Sequence, residues 1–342
     1  MKKQLKVLIV GDSRKMKGGI ASVIKTMEQS YLWEKFECRW LECQVNASMV
    51  MKMLYLIRGI LMSLYLIPQF QIIHFHTTPG RGIRVQLPIF LYAYLWKRKI
   101  ILHIHEGYSF KRSANDRVFE FCCKRADAIV TLGNMWNQYI PTNDKLRVHA
   151  IYNPAPPVTF PVVPEKYFLY AAYLEYVRKG FETLINGWKL IIQKHPEWKL
   201  VLCIAGEVEQ AKEYLNAEHV EESVELMGWV DGERKKKIFS EAYGFLMTSI
   251  SEGLPMSVLE SLAAGIPVVT TPVGSLPEIL TSKQDALVFD FNDAEGMAEL
   301  VCELIEKQEL RATLVKNGQL LAQRVRQDFI EQIDKLYMSL NK

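Results

Sequence analysis

The sequence predicts an α/β fold of two domains, each a doubly wound parallel sheet covered by helices. The chain has 342 residues, more than one hydrophobic core ordinarily organises. Short β-branched and apolar runs alternate with helical patterns along its length, which is typical of βα units. A proline-rich segment, residues 153–164, interrupts this alternation near the middle of the chain. We therefore predict a domain boundary there.

The first half carries the elements of one complete sheet. Its strand-like segments are continuous apolar runs, as expected for parallel strands that are covered on both faces. The predicted strands are residues 5–10, 37–42, 71–76, 100–105, 128–131 and 147–151, and the predicted helices are residues 20–28, 48–67, 83–96 and 115–124.

The second half repeats the pattern after the prolines, which cannot donate to a sheet ladder or lie inside a helix. Its predicted strands are residues 167–172, 199–204, 224–227, 244–248, 267–270 and 287–289, with helices from residue 294 to the end. We predict a first domain over 1–160, a second over 161–325, and a C-terminal helix, 326–342, that packs back on the first. The carboxyl ends of both sheets are expected to face a cleft.

Charge is distributed unevenly between the halves. Residues 1–165 contain 23 lysines and arginines against 11 acidic residues, whereas residues 166–342 contain 19 against 27. A basic first half favours an anionic partner, for which phosphate and an anionic membrane are candidates. We see no nucleic-acid-binding motif. The six cysteines include no CxxC pair, so free thiols in a cytoplasmic protein are expected, and the apolar run before Gly11 predicts a first strand, not a signal peptide.

Two glutamates eight positions apart form the most informative motif. Glu252 follows a predicted strand, and Glu260 lies two helical turns further along. At ~1.5 Å per residue their carboxylates are up to ~12 Å apart, roughly the separation of the sugar and ribose hydroxyls in a nucleotide sugar. A helix is predicted to begin at Pro255. The free N–H groups between Gly253 and Met256, at the start of this helix, suit a diphosphate. The alternative is a pair of solvated helix charges.

Residues 251–280, SEGLPMSVLESLAAGIPVVTTPVGSLPEIL, resemble the Glu-x7-Glu donor-binding segment of glycosyltransferase family 4. Other matching pieces occur in the family's order over nearly the whole chain: KGGIASVI (17–24), LHIHEG (102–107), ADAIVTLGNMW (126–136), IYNPAP (151–156), YAAYLEYVRKGFETLINGW (170–188) and LVLCIAGE (200–207). The resemblance implies a GT-B fold of two Rossmann-like domains. It also implies retaining, metal-independent transfer from a nucleoside diphosphate sugar to a saccharide or lipid-linked acceptor, as in bacterial surface polysaccharide or lipopolysaccharide assembly.

The resemblance also implies individual roles. Glu252 would hold the hydroxyls of the donor sugar, Glu260 would bind the ribose, and Lys179 would neutralise the diphosphate. His105 would lie beside the reacting sugar carbon, which makes His105, Lys179 and Glu252 the expected catalytic residues. The residues expected to line the donor are Gly18, Gly19, Tyr173, Arg178, Gly253, Leu254, Pro255, Met256 and Glu260.

One position departs from the family pattern. The family has an arginine six positions before the lysine, and here that position is Tyr173. A phenol donates one hydrogen bond but supplies no charge, so Arg178 or the cations around the first glycine loop (Arg14, Lys15 and Lys17) would have to substitute. A non-catalytic sugar-nucleotide-binding subunit and a nucleotide-sugar epimerase therefore stay open as alternatives.

Four histidines form two His-x-His pairs, His74 with His76 and His103 with His105. Alternation along a strand places each pair on one face, so a metal site and a metal-dependent hydrolase are conceivable. We favour strand-end histidines held by hydrogen bonds and predict no metal and no cofactor.

Residues 48–67 form an apolar segment that contains only Lys52 and Arg58 as charges. Because charges are costly at the centre of a bilayer, we predict a buried domain helix here, not a membrane span. The alternative is that the segment rests on the inner face of the cytoplasmic membrane beside Arg81, Arg84 and residues 97–99.

Overall fold

Two six-stranded parallel sheets organise the chain, one in each of two units. The computed structural model describes residues 4–16, 18–105, 116–142, 144–158 and 160–341. The first unit comprises residues 1–154 and 325–342, and the second comprises residues 155–324. The predicted class, two doubly wound parallel sheets with helices, is confirmed, and all twelve predicted strands are found with ends within two residues of the prediction.

The first sheet has the order β2-β1-β3-β4-β5-β6. Its strands are β1 Val7–Asp12, β2 Arg39–Gln44, β3 Ile72–Thr77, β4 Lys99–Ile104, β5 Ala128–Thr131 and β6 Val148–Ala150. The strand order reverses at β1, so the switch point of this sheet lies between β1 and β3. In open α/β sheets, ligands bind outside the carboxyl ends of the strands at such a point.

The second sheet has the order β12-β11-β10-β7-β8-β9. Its strands are β7 Tyr167–Leu174, β8 Lys199–Gly206, β9 Val224–Leu226, β10 Gly244–Met247, β11 Val268–Thr270 and β12 Leu287–Val288. The order corresponds to the Rossmann arrangement 3-2-1-4-5-6, and its switch point lies between β7 and β10. Large side chains such as Trp188 and Tyr170 are fully enclosed beside this sheet.

Helices connect the strands in both units. In the first they are α1 Gly19–Glu28, α2 Tyr31–Lys35, α3 Met49–Leu66, α4 Arg81–Leu95 and α5 Arg117–Arg125. In the second they are α6 Phe181–Lys194, α7 Val208–Ala217, α8 Gly232–Glu241, α9 Met256–Ala264, α10 Leu276–Ile279 and α11 Ala294–Glu306, after which α12 covers Gln308–Leu340.

Helix α3 corrects one prediction, because it is not buried. Only Gly59, Ser63 and Leu66 are buried along its length. Gly59 packs against β2, where an added Cβ would come within 3.0 Å of the Cβ of Cys43, so a glycine allows the close approach. Among the described residues, one helical stretch, Met49–Gln69, has the length and hydropathy to cross a bilayer, and 22% of its most apolar window is buried.

The last residues of the chain pack within the first unit. Tyr337 stacks edge-on against Phe36, and its hydroxyl lies 2.6 Å from Nδ1 of His74. Lys35 forms an ion pair with Asp334 at 2.7 Å. These contacts attach the end of α12 to β3 and α2.

Candidate functional site

The turn after β7 is held against the end of β10 at the switch point of the second sheet. Gly180 has a φ of +61°, and a Cβ there would lie 2.1 Å from the carbonyl oxygen of Thr248, so only glycine fits. Thr248 and Tyr170 donate hydrogen bonds from their hydroxyls to the carbonyl of Lys179, at 2.8 and 3.2 Å. The backbone of Lys179 is therefore held in place by two side-chain hydroxyls, one from β7 and one from the end of β10.

Three of the predicted site residues meet at this turn. The ammonium group of Lys179 forms an ion pair with Glu252, and the guanidinium group of Arg178 lies 3.7 Å from the same carboxylate. Arg178 also donates to the carbonyl of Ser251 at 3.0 Å and to both carboxylate oxygens of Glu175. The side chains of Lys179 and Glu252 are only 13% and 15% exposed, which strengthens their attraction over that of a surface pair.

The segment after Glu252 is held by a second glycine turn. Gly274 has a φ of +57°, and a Cβ there would lie 2.2 Å from the carbonyl oxygen of Gly253. Ser275 donates its backbone N–H to the same carbonyl at 2.9 Å. The loop after β11 thus fixes the chain at Glu252 and Gly253. This contact was not predicted from the sequence, although Gly274, which lies shortly after a predicted strand and two residues after Pro272, was a signal for it.

The remaining residues of the predicted donor segment differ in accessibility. Leu254 and Pro255 are buried inside the second unit, whereas Gly253 and Met256 are partly exposed. Pro255 precedes α9, whose first turn begins at Met256 and contains no acidic residue. The unpaired N–H groups of that turn leave a partial positive charge at the helix start.

Glu260 lies on α9 and has a partner that the sequence did not indicate. Lys235 on α8 forms an ion pair with it at 2.7 Å. The side chain of Lys235 is 36% exposed, so this ion pair is only partly shielded from solvent. Sequence spacing could not reveal this pair because the two residues lie on different helices.

Tyr173 stands apart from the ion pairs. It lies near the end of β7 with 59% of its surface exposed, and its hydroxyl forms no hydrogen bond to any described residue. The structure therefore does not bring it to the Lys179–Glu252 pair as it does Arg178.

In the first unit, the glycine loop follows β1. Gly18 precedes α1 in an extended conformation, and among the described residues no atom lies within 4 Å of a Cβ placed there. Gly19 begins the helix. Lys17, Glu106 and Gly107, which belong to the motifs of the predicted site, lie outside the described residues.

The four histidines stack at the carboxyl edge of the first sheet. His105 follows β4 and its Nε2 lies 2.8 Å from Nδ1 of His76. Burial lowers the pKa of His105 and of His74 to about 3, and it lowers the pKa of His76 and His103 strongly too, so all four are neutral near pH 7.

The predicted hydrogen bonding of the histidines is found only in part. Nδ1 of His74 is bonded to Tyr337, but Nε2 of His74, Nε2 of His76 and both nitrogens of His103 have no partner among the described residues. One ligand atom from each of these three histidines lies within 4.8 Å of the others, so the group could hold a metal ion. That no metal is required stays a prediction.

Comparisons with known proteins agree on one class. Residues 157–321 match the sequence profile of the family of glycosyl transferases group 1. The chain is 24% identical over 229 residues to an uncharacterized glycosyltransferase of Haemophilus influenzae, covering 64% of each chain. It is 26% identical over 237 residues to the O-antigen chain mannosyltransferase B of Escherichia coli, covering 67% of this chain and 57% of the other. The matches thus span less than two thirds of these relatives.

A solved structure agrees over nearly the full chain. The Anabaena protein HepE, crystallised with UDP and glucose, superimposes with a TM-score of 0.75 at 14% identity and covers 98% of this chain and 100% of its own. The fold is GT-B. Together with the sequence matches, this supports a GT-B glycosyltransferase.

Within this GT-B fold, the Lys179–Glu252 pair occupies the switch point of the second Rossmann-like sheet, and the glycine loop follows the first strand of the other. The position of the pair is a consequence of strand order, because β7 and β10 are adjacent although Lys179 and Glu252 are far apart in sequence.

Proposed function

We propose that the chain is a retaining glycosyltransferase of family 4. It would transfer a hexosyl-type unit from a nucleoside diphosphate sugar to a hydroxyl of a saccharide or lipid-linked saccharide. The observation that carries the proposal is the ion pair of Lys179 with Glu252, with Arg178 beside it, at the switch point of the second sheet. The ordered Glu-x7-Glu segment, and the UDP and glucose bound to HepE, support a donor of this class.

The donor roles follow from the chemistry of each group. Glu252 accepts hydrogen bonds from the sugar hydroxyls, which releases Lys179 toward the diphosphate. Glu260 accepts from the ribose hydroxyls. The N–H groups of Gly253, Leu254 and Met256, just before and at the start of α9, bind phosphate oxygens, as helix starts do. Arg178 supplies the second positive charge, which the neutral phenol of Tyr173 cannot provide.

Bond cleavage is assisted by fixed positive charge. As the bond between the sugar carbon and the phosphate oxygen breaks, the diphosphate gains negative charge, and preorganised cations stabilise that state more than the ground state. Lys179 and Arg178 supply this charge from the protein, so we propose that no metal is needed. On the same face of the sugar, the acceptor oxygen forms the new bond and passes its proton to the departing phosphate oxygen.

The first unit would bind the acceptor. We propose that Gly18 and Gly19 allow a ligand to approach the backbone closely, and that neutral His105 exchanges a hydrogen bond with the reacting groups. The similarity to the O-antigen chain mannosyltransferase B favours surface polysaccharide assembly. We propose a cytoplasmic enzyme that works at the inner face of the membrane, where its basic first half meets an anionic surface.

A thermal-shift screen against nucleoside diphosphate sugars tests the donor site. A ligand at a hundredfold excess over its Kd stabilises the folded state by about 2.7 kcal/mol. We expect a shift of about 5 °C or more with the preferred donor. Glu260→Gln should abolish it, and Glu252→Gln should reduce the preference among sugars.

Lys212→Met is a matched control, since Lys212 forms an exposed ion pair with Glu209 elsewhere in the same unit. Wild-type shifts in both glutamate variants would refute the site. Donor binding with no product for any acceptor would favour the non-catalytic subunit that Tyr173 makes plausible, and an altered sugar nucleotide formed from donor alone would indicate an epimerase.

A further inference from the structure

A pocket of about 370 Å³ lies at the carboxyl edge of the first sheet. We call it the α3 pocket. Its wall combines Met16 from the glycine loop, the end of β2, one side of α3 and the start of α4. It is lined by Met16, Cys43, Gln44, Val45, Asn46, Met49, Lys52, Met53, Leu56, Arg81 and Val85. All of these residues belong to the first unit, and the pocket borders the loop that carries Gly18.

The contribution of α3 is a regular helical stripe. Met49, Lys52, Met53 and Leu56 are spaced i, i+3, i+4 and i+7, so one face of the helix supplies the wall. Three of these four side chains are apolar. The pocket is thus an apolar groove with a single ammonium group on that face.

The pocket is unusual in its charge. Among the described residues that line it, the only charged groups are two cations, Lys52 and Arg81, and neither forms an ion pair with a described residue. Residues 43–105 contain seven lysines and arginines and no aspartate or glutamate. Among the described residues that line the pocket, a ligand meets positive charge without competing carboxylates, which favours an anion.

An apolar surface continues from the pocket along α3. Val50, Leu54, Ile57 and Leu61 are 49–68% exposed and follow one another at helical spacing. Soluble monomers rarely leave a contiguous apolar surface of this kind uncovered. Any ligand that fills the pocket can extend an apolar chain over this stripe.

We propose that the α3 pocket binds the carrier of a lipid-linked acceptor. The carrier is an apolar chain that ends in a phosphate or diphosphate. Its anionic end pairs with Lys52 and Arg81, its first apolar units fill the space between Met49, Met53 and Val85, and the rest lies along α3. The proposal rests on the proposed function and narrows it to acceptors that carry an apolar chain and an anionic group.

Calorimetric titration of the full chain with farnesyl diphosphate tests the pocket. The probe carries both halves of the expected ligand, and it is used below its micelle concentration without detergent. We expect Lys52→Glu and Arg81→Glu each to weaken binding about tenfold or more, since each replaces an attraction by a repulsion. Met53→Gln should weaken it severalfold through the apolar wall. These side chains are at least partly exposed, so the variants should fold, which circular dichroism checks.

Three controls test whether binding depends on the anionic group of the ligand, on its apolar chain and on the pocket itself. Lys97→Glu changes an exposed cation in the same unit outside the pocket and should leave binding unchanged. Farnesol and inorganic diphosphate, each carrying one half of the ligand, should bind at least about tenfold more weakly than the whole. Equal binding to wild type and to all three pocket variants would overturn the proposal.

Vesicles of phosphatidylglycerol and phosphatidylcholine separate a carrier site from a membrane surface. If vesicles capture wild type and Lys52→Glu equally while farnesyl diphosphate does not bind, α3 is a membrane-contact face and the carrier site is refuted. The donor screen distinguishes the two proposals. A donor shift without farnesyl diphosphate binding refutes only the pocket, and pocket-dependent farnesyl diphosphate binding without any donor shift refutes only the proposed function.

Discussion

Lys235 and Glu260 form an ion pair at 2.7 Å that joins α8 to α9 in the second unit. Glu260 is the residue proposed to bind the donor ribose, so Lys235 holds the carboxylate in one orientation before the ligand arrives. An oriented acceptor loses less side-chain entropy on binding than a free one.

We therefore expect Lys235→Met to weaken donor affinity about three- to tenfold, measured by calorimetry. The stability of the fold should change by less than about 1 kcal/mol, because the pair is partly solvated. Lys236→Met is the matched control, since Lys236 pairs with Glu233 on the exposed face of the same helix. Equal losses in the two variants would contradict a positioning role for Lys235.

The Lys179–Glu252 pair should show energetic coupling in a double-mutant cycle. Lys179→Met or Glu252→Gln alone leaves a mostly enclosed group without its partner, so each should lower the free energy of unfolding by about 1–3 kcal/mol. The double variant should lose less than the sum, with a coupling of about 1 kcal/mol or more. Urea unfolding measures all four states. The exposed Lys212–Glu209 pair should couple by less than about 0.5 kcal/mol, and similar coupling at both places would argue against a special environment at the turn.

Gly274→Ala should destabilise the second unit strongly. Its φ of +57° already disfavours a side chain, and the new Cβ would collide with the carbonyl of Gly253. We expect a loss of about 2 kcal/mol or more and a weaker donor-induced thermal shift. Gly228→Ala separates the two causes, because Gly228 has a φ of +67° but open space around its Cβ position. That variant should lose only about 1 kcal/mol. Equal losses would mean that the collision is relieved without cost.

Stability should fall with acid because of the buried histidines. An unfolded histidine takes up a proton near pH 6.5, whereas His74 and His105 in the folded chain resist protonation until their pKa of about 3. Between these values the unfolded state binds more protons, so the free energy of unfolding falls as pH falls. Each such histidine contributes about 1.4 kcal/mol per pH unit. Urea unfolding at pH 7.5, 6 and 5 measures the slope.

Two further results check this interpretation. Burial raises the pKa of Asp12 to about 6, so Asp12 acts in the opposite direction and contributes stability that is lost as pH rises from about 4 to 6. Between about pH 4 and 6, it cancels the pH dependence of stability that about one histidine contributes. His103→Leu removes one buried imidazole and should make the pH dependence shallower by about one proton. An unchanged slope would show that His103 does not titrate with unfolding.

Sequence patterns predicted the fold closely because burial on both faces of a parallel sheet leaves a local signal. Most strands are apolar runs, although β2 (RWLECQ) includes charged and polar residues, and the predicted ends differ from those of the strands by at most two residues. The pattern failed at α3, where apolar composition alone predicted burial. Composition reports what a helix can bury, but whether a neighbour covers it depends on the packing of the other elements.

The candidate site was likewise predicted only in part from the sequence. The sequence by itself determined the βα order and the local motif from Glu252 to Glu260. Tertiary structure alone decided that Lys179 reaches Glu252, that Gly274 supports Gly253, and that Lys235 binds Glu260. The physical reason is that strand order in a sheet follows from how crossovers pack, and side chains far apart in sequence meet only after that order is set.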